Sequence, residues 1–469
     1  MGNPLLFAPE LCLLFGALAV FACTAFGASA RATWGVSLFI AVASVAGTGM
    51  FLAFEGEPFF PNIYKVDAFS QVLKFGIAIA LALSIAISER QESTRSLARV
   101  DTHFFLYMSA VGMMMLVSAT ELLTLYIALE MSAYGLYILA ALHRKERMGS
   151  EAAAKYILFG AAASAVSLYG ISMIYGATQT TYIAEIMSSG SSPFLIAGIV
   201  LTLLGLLFKL AAFPVHAWAP DVYQGAPHEA AAFLGTASKV AAVGVIIRVV
   251  SLAGASTSQI AMVLVIISVA SMTLGNLAAL VQKDFKRLLG FSTVAHAGYI
   301  LIGVLAFSKL GTAAAIFYVL TYVPIVFCAF LVVSALGQGA KNPSIADLAG
   351  LYQRSPFLAL VLLTAMFGLA GIPPTPGLAG KWFLFSAAID AGYLWLVIVA
   401  ALNATVSLYY YLLVVKEAYL TPPGDRPAIK LSPAYVVSAT AALVLIFFMG
   451  FYPAPTWALA TGAASALGL

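Results

Sequence analysis

Apolar segments of about 20 residues, the length that crosses the hydrocarbon core of a bilayer as a helix, follow one another along this chain. Short polar, glycine-containing or proline-containing breaks separate them. Hydrophobic residues make up 62% of the chain and charged residues 9%, whereas soluble domains carry about 25% charged residues. Because a soluble fold could not bury so much apolar surface, the sequence predicts an all-α polytopic membrane protein.

Dividing the chain at its breaks predicts about fourteen transmembrane helices. The division at residues 119–121 is the least marked. The segment 355–389 is too long for one straight span and contains GIPPTPG, so we interpret it as a single broken helix. The first segment is expected to be a membrane helix rather than a signal peptide, and residues 179–188 to form a short interfacial helix. The predicted spans are 4–24, 33–53, 67–88, 103–119, 121–142, 151–176, 194–216, 229–252, 258–280, 286–306, 310–336, 355–389, 392–415 and 432–452.

Lysine and arginine residues in the predicted loops orient the chain. With the N-terminus outside, fifteen of the 23 Lys and Arg residues fall in cytoplasmic loops, and only Lys65, Arg248 and Lys309 fall in outer loops. Both termini are therefore predicted on the outer side, which is the periplasmic side if the membrane is a bacterial inner membrane. The net charge of +4 reflects this topology and does not indicate nucleic-acid binding.

The chain has no sequence motif for a cofactor of its own. Its three cysteines, Cys12, Cys23 and Cys328, lie in apolar runs without metal-ligand spacing, and an iron–sulfur or zinc site needs more thiolates. A Walker A loop, a GxGxxG loop after a strand and an HExxH motif are also missing. We therefore expect this chain to bind no metal, NADH, FMN or haem.

Two predicted spans combine an interior lysine with a proline break. Helix seven carries Lys209 and Pro214, and helix twelve carries Lys381 after PPTP. An offset of five helices reverses the orientation in the membrane, so helices 4–8 and 9–13 are predicted to be inverted repeats, in which paired broken helices mark transport sites. The predicted divisions are an N-terminal three-helix segment 1–102, a first five-helix repeat 103–256, a second repeat 257–420 and a C-terminal helix 421–469.

Ionisable side chains inside the predicted spans are the candidate functional residues. A lysine at the bilayer centre costs about 3 kcal/mol on insertion scales, so its presence calls for a use or a partner. Lys209, Lys239 and Lys381 lie well within their spans. Glu130, in the middle of helix five, is the acid that we expect to hold Lys209 charged. A row of such amines could pass a proton along if water or hydroxyl groups connect them.

Other ionisable residues have a stronger structural alternative. Lys155 lies near the start of helix six, where its side chain could snorkel to the interface, and Lys74 in helix three is expected to snorkel. His216 and His296 could relay protons, because histidine titrates near neutral pH, or could be satisfied by packing. Several tyrosines could line a hydrated path or simply pack, namely Tyr299, Tyr318, Tyr322 and Tyr409–Tyr411.

Four stretches resemble the antiporter-like membrane subunits of respiratory complex I, NADH:quinone oxidoreductase. They are FKLAAFPVHAWAPDVYQGAP, KRLLGFSTVAHAGYIL, LAGIPPTPGLAGKWFLF and SLYYYLLVVKEAY. A fifth stretch, EAAAKYILFGAAASAVSLYG, is similar to the subunit N group in particular. The resemblance covers about residues 67–420 and implies fourteen helices with inverted five-helix repeats.

The resemblance also implies roles for individual residues. Glu130 matches the family's helix-five glutamate, Lys209 and Lys239 its helix-seven and helix-eight lysines, Lys381 the lysine at the helix-twelve break, and Lys155 the helix-six lysine of subunit N. They would translocate protons when quinone is reduced in other subunits. NADH, FMN, iron–sulfur clusters and quinone would bind to those partner subunits. Further expected partners are a neighbouring antiporter-like subunit and lipids, but not nucleic acid.

One departure from the family and three alternatives stay open. Where many relatives read GAPTPVTAFL, this chain reads GAPHEAAAFL, with His228 and Glu229, which leaves proton uptake at the cytoplasmic end of helix eight in doubt. The chain could instead belong to a cation/proton antiporter. It could also belong to a membrane hydrogenase or a ferredoxin-linked quinone reductase. A purely structural scaffold would leave the interior lysines unexplained.

Overall fold

The structure, a computed structural model, describes residues 4–52, 60, 62–90, 96–143, 147–337 and 342–467. Within those ranges the chain forms helices and isolated bridges but no β-strand. In chain order the helices are α1 Ala8–Ala25, α2 Ala30–Met50, α3 Ala68–Ile87, α4 Ser96–Ser118, α5 Leu122–Ala140, α6 Arg147–Thr178, α7 Ile183–Ser188, α8 Pro193–Leu210, α9 Trp218–Gly225, α10 His228–Gly235, α11 Ala237–Val250, α12 Thr257–Ala279, α13 Phe285–Val304, α14 Lys309–Leu336, α15 Leu351–Arg354, α16 Pro356–Ala370, α17 Pro376–Asp390, α18 Leu394–Leu420, α19 Pro433–Phe451 and α20 Ala454–Ser465.

The described helices confirm a polytopic all-α protein. Twelve helical segments in these ranges are long and apolar enough to cross a membrane, one of them the run His228–Gly254 that contains α10 and α11. Two further apolar helices, Thr102–Ser118 within α4 and Pro356–Ala370, are shorter. Each predicted apolar segment contains a helix, and α7 lies where the short interfacial helix was expected. The number of fourteen crossings stays a prediction.

The helix ends differ from prediction where backbone breaks are not evident from hydrophobicity. Helix seven was predicted as 194–216, but α8 ends at Leu210 because Ala211 adopts left-handed φ and ψ angles of 65° and 37°. The chain resumes as a helix in α9. Helix eight is divided into α10 and α11 at Thr236, and α20, too short to span a membrane, was not predicted.

The interior of the fold consists of the helices that have no face turned to lipid. Almost every residue of α3, α11, α13 and α14 is buried, whereas α1, α2, α18 and α19 present exposed large apolar side chains such as Phe15, Phe39 and Leu402. In α3, a Cβ atom added to Gly76 would lie 2.7 Å from Leu320 of α14 and 3.4 Å from Val240 of α11. Helix α3 therefore packs between elements of both predicted repeats.

The prediction that Lys74 snorkels is wrong. Its side chain is fully buried, and its Nζ lies 2.8 Å from Oε1 of Glu10 in α1. Because α3 is surrounded by other helices, the side chain has no free path along an apolar surface to the interface. The ion pair with Glu10 replaces the aqueous contact that snorkelling would have given. Glu10 is thus a buried carboxylate within a helix, which was not identified among the ionisable residues inside the predicted spans.

Asp67 connects the start of α3 to the end of α11, and we expect its removal to destabilise the fold. Its side chain accepts a hydrogen bond from the Ser70 N–H at 2.8 Å and lies 3.4 Å from Nη2 of Arg248. For Asp67→Ala, loss of the cap costs about 1 kcal/mol, and leaving buried Arg248 without its carboxylate costs about 3 kcal/mol. Thermal unfolding of the purified complex, followed by intrinsic fluorescence, would show a lower midpoint.

Lys65→Ala is the control for the Asp67 substitution. The Lys65 side chain is 49% exposed and its Nζ lies 3.6 Å from Oδ2 of Asp67, so its loss costs less than about 1 kcal/mol. An equal decrease in the two variants would contradict a special role for the Asp67–Arg248 pair.

Candidate functional site

The first broken helix places Lys209 inside the protein, next to the break. Lys209 is the penultimate residue of α8, and its side chain is almost fully buried. Its Nζ donates a hydrogen bond to Oγ of Ser132 in α5 at 2.6 Å. Residues 211–217 then run without regular helix before α9, and the Phe213 N–H in this break donates to Oγ of Ser271 at 2.9 Å. The break thus lies against other protein groups, as irregular backbone at membrane depth requires.

Lys239 lies on the carbonyl end of the same half-helix. Its Nζ donates hydrogen bonds to the carbonyl oxygens of Lys209 and Leu210, both at 3.1 Å. These are the last two carbonyls of α8, which have no partner within the helix, and the helix dipole makes that end favourable for a cation. The ammonium also lies 5.3 Å from the centre of the Trp218 ring. Lys239 is therefore held by the break itself.

The second broken helix repeats this arrangement. Helix α16 ends at Gly371 with a φ angle of 86°, and Lys381 of α17 donates to its last two carbonyls, those of Leu369 at 3.2 Å and Ala370 at 2.7 Å. Its Nζ lies 5.2 Å from the centre of the Tyr299 ring. The spatial counterpart of Lys381 is therefore Lys239 rather than Lys209, although the sequence suggested pairing the two lysines that share a span with proline.

Glu130 acts on Lys209 across a gap rather than as its contact partner. The Glu130 carboxylate accepts a hydrogen bond from Oγ of Ser164 in α6, and it forms none of the ion pairs found in the described residues. Its charge nevertheless attracts the Lys209 ammonium, while Lys209 and Lys239 repel each other. The first half thus contains three coupled charges, with Ser132 as the hydrogen-bond partner of the central amine.

His296 lies in a cluster of phenols beside Lys381. Its Nδ1 is 2.7 Å from the Tyr318 hydroxyl and its Nε2 is 3.1 Å from the Tyr411 hydroxyl. Both ring nitrogens therefore have hydroxyl partners, with roles that depend on the tautomer. The Tyr411 hydroxyl also lies 2.5 Å from Oγ of Ser292, and the Lys381 charge acts on the imidazole. The structure thus brings together two candidates that the sequence only placed on separate helices.

A second set of hydroxyl groups extends from this cluster toward α9. Oγ1 of Thr293 lies 3.1 Å from the Tyr322 hydroxyl and 3.4 Å from that of Tyr223. The Tyr322 ring centre lies 5.1 Å from that of His296. Hydroxyl groups can both donate and accept a hydrogen bond. Three of the tyrosines predicted to line a path, Tyr318, Tyr322 and Tyr411, therefore have polar partners in the interior, either His296 or Thr293.

His216 and Lys155 are not connected to these clusters by side-chain hydrogen bonds in the described part of the chain. His216 lies half-buried in the first break, with its ring 5.8 Å from that of Phe213. Lys155 is 35% exposed, and its Nζ lies 2.5 Å from both Oε1 of Glu151 and Oδ2 of Asp221. The ion pairs of Lys155 favour a role at the surface, in agreement with the alternative considered from its position near a helix start.

Sequence reasoning missed some buried polar groups, because nothing in the hydrophobicity of their helices indicates that these side chains are buried. Lys286 was counted as a loop residue, yet it is fully buried and donates to the Ala226 carbonyl at 2.6 Å. His228 and Glu229, the departure from the family pattern, are also buried, and the Glu229 charge acts on Lys286. Glu229 and Lys286 lie far apart in the sequence, on α10 and α13, so no sequence signal indicated their interaction. No group of His, Cys, Asp and Glu side chains suited to a metal ion occurs among the described residues.

Comparisons with known proteins agree with this arrangement of helices. A family profile described as "NADH:quinone oxidoreductase/Mrp antiporter, TM" matches residues 119–407. A protein of Solidesulfovibrio magneticus named NADH-quinone oxidoreductase subunit N 2 is 46% identical over 430 residues, which are 90% of this chain and 91% of that protein. The chain belongs to the NADH-quinone oxidoreductase subunit N family. A Moorella thermoacetica member named NADH-quinone oxidoreductase subunit N is 39% identical over 398 residues, 84% of each chain.

Solved structures place the subunit N fold within larger assemblies. A chain of respiratory complex I from Thermus thermophilus with bound aureothin has a TM-score of 0.85 and 32% identity, covering 97% of this chain and all of that one. A chain of the archaeal membrane-bound sulfane sulfur reductase has a TM-score of 0.89 at 22% identity, covering 99% and 98%. The second likeness shows that the fold is shared and carries no further argument. The first supports a fold of the complex I antiporter-like type for this subunit N family member.

Proposed function

We propose that this chain is a proton-translocating membrane subunit of an NADH:quinone oxidoreductase, in which quinone reduction in other subunits is coupled to proton movement through this one. The observation that carries the proposal is the buried lysine on the last two carbonyls of each broken helix, Lys239 on α8 and Lys381 on α16. The subunit N relatives support the enzyme class. NADH, FMN, iron–sulfur clusters and quinone belong to the partner subunits in this proposal.

Electrostatic coupling gives these residues a way to move a proton. Two ammonium groups repel each other strongly where the dielectric constant is low. The state in which only one of Lys209 and Lys239 is protonated is therefore favoured over the state in which both are. The carboxylate of Glu130 draws that proton to Lys209. When a charge change in a neighbouring subunit weakens this attraction, the proton passes toward Lys239 through water or hydroxyl groups. His296 and its phenols would then relay it to Lys381 and onward.

The finer features of the proposal follow the sequence predictions. Helices of residues 103–256 and 257–420 form the two inverted repeats, with 1–102 and 421–469 outside them, and fourteen crossings place both termini on the outer side of a bacterial inner membrane. A neighbouring antiporter-like subunit and lipids cover the exposed apolar helices. His216 and Lys155 have supporting roles in proton translocation, His216 within the first break and Lys155 at the surface. The alternative of a cation/proton antiporter is favoured by one observation, namely that the matching family profile includes Mrp antiporters.

Glu130→Gln in the whole complex, reconstituted into vesicles, tests the proposal. We expect NADH oxidation by quinone to acidify one side of the membrane in the unmodified complex, and a several-fold lower rate in the variant because the amide no longer attracts the Lys209 proton. Glu417→Gln is the matched control, since Glu417 is also half-buried and accepts one hydroxyl hydrogen bond, from Thr421 at 3.0 Å. Acidification is followed with an entrapped pH indicator.

Two outcomes of this experiment would contradict the proposal. Equal acidification rates in the Glu130→Gln variant and the unmodified complex would contradict the electrostatic coupling on which the proposal depends. A pH change driven by a sodium gradient without NADH would favour the antiporter alternative instead.

A further inference from the structure

A second group of buried titratable side chains lies away from both broken helices. Glu10 of α1, Lys74 of α3 and Tyr64 in the loop before α3 contact one another, and all three are buried. Lys74 Nζ lies 2.8 Å from Oε1 of Glu10 and donates to the Tyr64 hydroxyl at 2.8 Å. The Tyr64 hydroxyl in turn donates to the same Glu10 oxygen. We call these three residues the outer triad.

The outer triad has hydrogen-bonding capacity that the protein leaves unused. Oε2 of Glu10 has no hydrogen-bond partner among the described residues, and neither does either polar atom of the Gln71 amide, which is fully buried one turn before Lys74. Burying a polar atom without a partner destabilises a protein. Buried water usually satisfies such groups. An ion pair built only for stability would gain from having these atoms satisfied by protein.

A cavity reaches the outer triad at Tyr64. It has a volume of about 460 Å³ and is lined by Tyr64, Lys65, Arg248, Glu185 and Asn62, among others. Lys65 and Asn62 are exposed at its edge. Neither Glu10 nor Lys74 lines the cavity, so Tyr64 is the member of the outer triad that contacts both the buried ion pair and the cavity. Burial and the adjacent Glu10 raise the pKa of Tyr64 well above its ordinary value, so the phenol keeps its proton at neutral pH.

Helix α3 also connects the outer triad to the interior of both repeats. Gly76, two residues after Lys74, is in close contact with Val240 of α11 and Leu320 of α14. Val240 directly follows Lys239. The fixed charges next to the cavity belong to the Arg248–Asp67 pair, whose members lie 3.4 Å apart. Arginine stays protonated in proteins. Arg248 therefore cannot take up or release a proton, but its positive charge repels a proton that arrives nearby.

We propose that the outer triad is a proton-release site, at which Glu10 accepts a proton from the membrane interior and passes it through Tyr64 to water in the cavity. This inference rests on the proposed function, because it assumes that protons move through the chain. With both termini outside, the cavity opens on the side to which protons are delivered.

The release step conserves protons and charge. A proton that reaches the Glu10 carboxylate neutralises it and leaves the Lys74 ammonium unpaired, so the triad carries one net positive charge. The carboxylic acid then gives its proton to the Tyr64 oxygen, while the proton of the phenol passes to a water molecule in the cavity. Tyr64 is again a phenol, Glu10 is again a carboxylate paired with Lys74, and one hydronium ion has formed. Arg248 favours this step because it repels the positive triad.

Tyr64→Phe removes the hydroxyl group and keeps the ring and the ion pair. In vesicles containing the whole complex, we expect the rate of NADH-driven proton translocation to fall by roughly tenfold, less than the 10²–10⁴-fold typical of a positioned proton-transfer group, because cavity water can partly replace the phenol. The solvent isotope effect on the translocation rate should rise, since proton release becomes rate-limiting. A purely structural phenol would not change that isotope effect.

Two further variants make the result decisive. Tyr107→Phe is the control, because Tyr107 of α4 is also buried but donates to a backbone carbonyl, that of Ser37 in α2, at 2.6 Å; this variant should translocate protons at the normal rate. Glu10→Leu combined with Lys74→Met removes both charges together, which proteins often tolerate without loss of stability, and should lower translocation as Tyr64→Phe does.

The outcomes separate the release site from the proposed function. Normal translocation and an unchanged isotope effect in Tyr64→Phe, in vesicles where Lys209→Met abolishes translocation, would overturn the release site and leave the proposed function standing. Normal translocation in Lys209→Met itself would overturn the proposed function. If the variant with both Glu10→Leu and Lys74→Met fails to assemble, the result for Tyr64→Phe, which keeps the ion pair, still tests the release site.

Discussion

Lys209→Met is expected to reduce NADH-driven proton translocation by about 10²-fold while the complex still assembles. Without the amine, a proton must pass this depth of the membrane on water alone, and a charge there costs about 3 kcal/mol even on the lower scale. Each ~1.4 kcal/mol of barrier is tenfold in rate. Methionine fills a similar volume without charge, so packing around the end of α8 is retained. Translocation is measured in vesicles as protons moved per NADH oxidised.

Two substitutions control for the loss of a lysine and of its hydrogen bond. Lys309→Met removes an exposed lysine at the start of α14 and should leave translocation unchanged. Ser132→Ala removes the hydroxyl that lies 2.6 Å from Lys209 Nζ but keeps the amine, so translocation should fall less than in Lys209→Met, although a hydrogen bond from a charged group contributes about 1.5–3 kcal/mol. A full translocation rate in Lys209→Met would overturn the proposed function.

The candidate lysines could be predicted from sequence because charge is rare and costly in a membrane span. Lys209, Lys239 and Lys381 each interrupt an apolar segment, and all three are buried in the structure. The same reasoning failed for Lys74, since it considered only the helix that contains the residue. Its partner, Glu10, lies in another helix 64 positions earlier, and no periodicity in the sequence links the two.

The geometry of the breaks could not be predicted, because it depends on where the backbone leaves the helix. Proline residues locate each break to within a few positions, but the last helical residues, Leu210 and Ala370, precede the prolines by several residues. The free carbonyls therefore lie earlier than expected. This shift changes which lysine occupies each carbonyl end and makes Lys239, from the following helix, equivalent to Lys381. The two breaks thus hold a lysine in the same way, although the five-helix offset does not pair helix eight, which carries Lys239, with helix twelve, which carries Lys381.

Lys381→Met and Lys381→Arg together separate two roles of the second break lysine, and we expect both variants to lose about 10²-fold in proton translocation. Arginine keeps a positive charge and donors for the Leu369 and Ala370 carbonyls, which accept from Lys381 at 3.2 and 2.7 Å. It stays protonated under all physiological conditions, so it can cap α16 but cannot release a proton. Methionine removes both the positive charge on the end of α16 and the group that can release a proton. The effect of Lys381→Met on assembly of the complex therefore measures how much the cap stabilises the protein.

Assembly of the complex and proton translocation are both measured on the same preparations of the two Lys381 variants. Near-normal assembly of Lys381→Arg with little translocation would mean that the amine must lose its proton during each cycle. Restoration of translocation by arginine would contradict this and would assign Lys381 the role of a fixed cation on the helix end. The same pair of substitutions at Lys239, which caps α8 in the same way, should give the same pattern, because the two breaks hold their lysines through equivalent carbonyls.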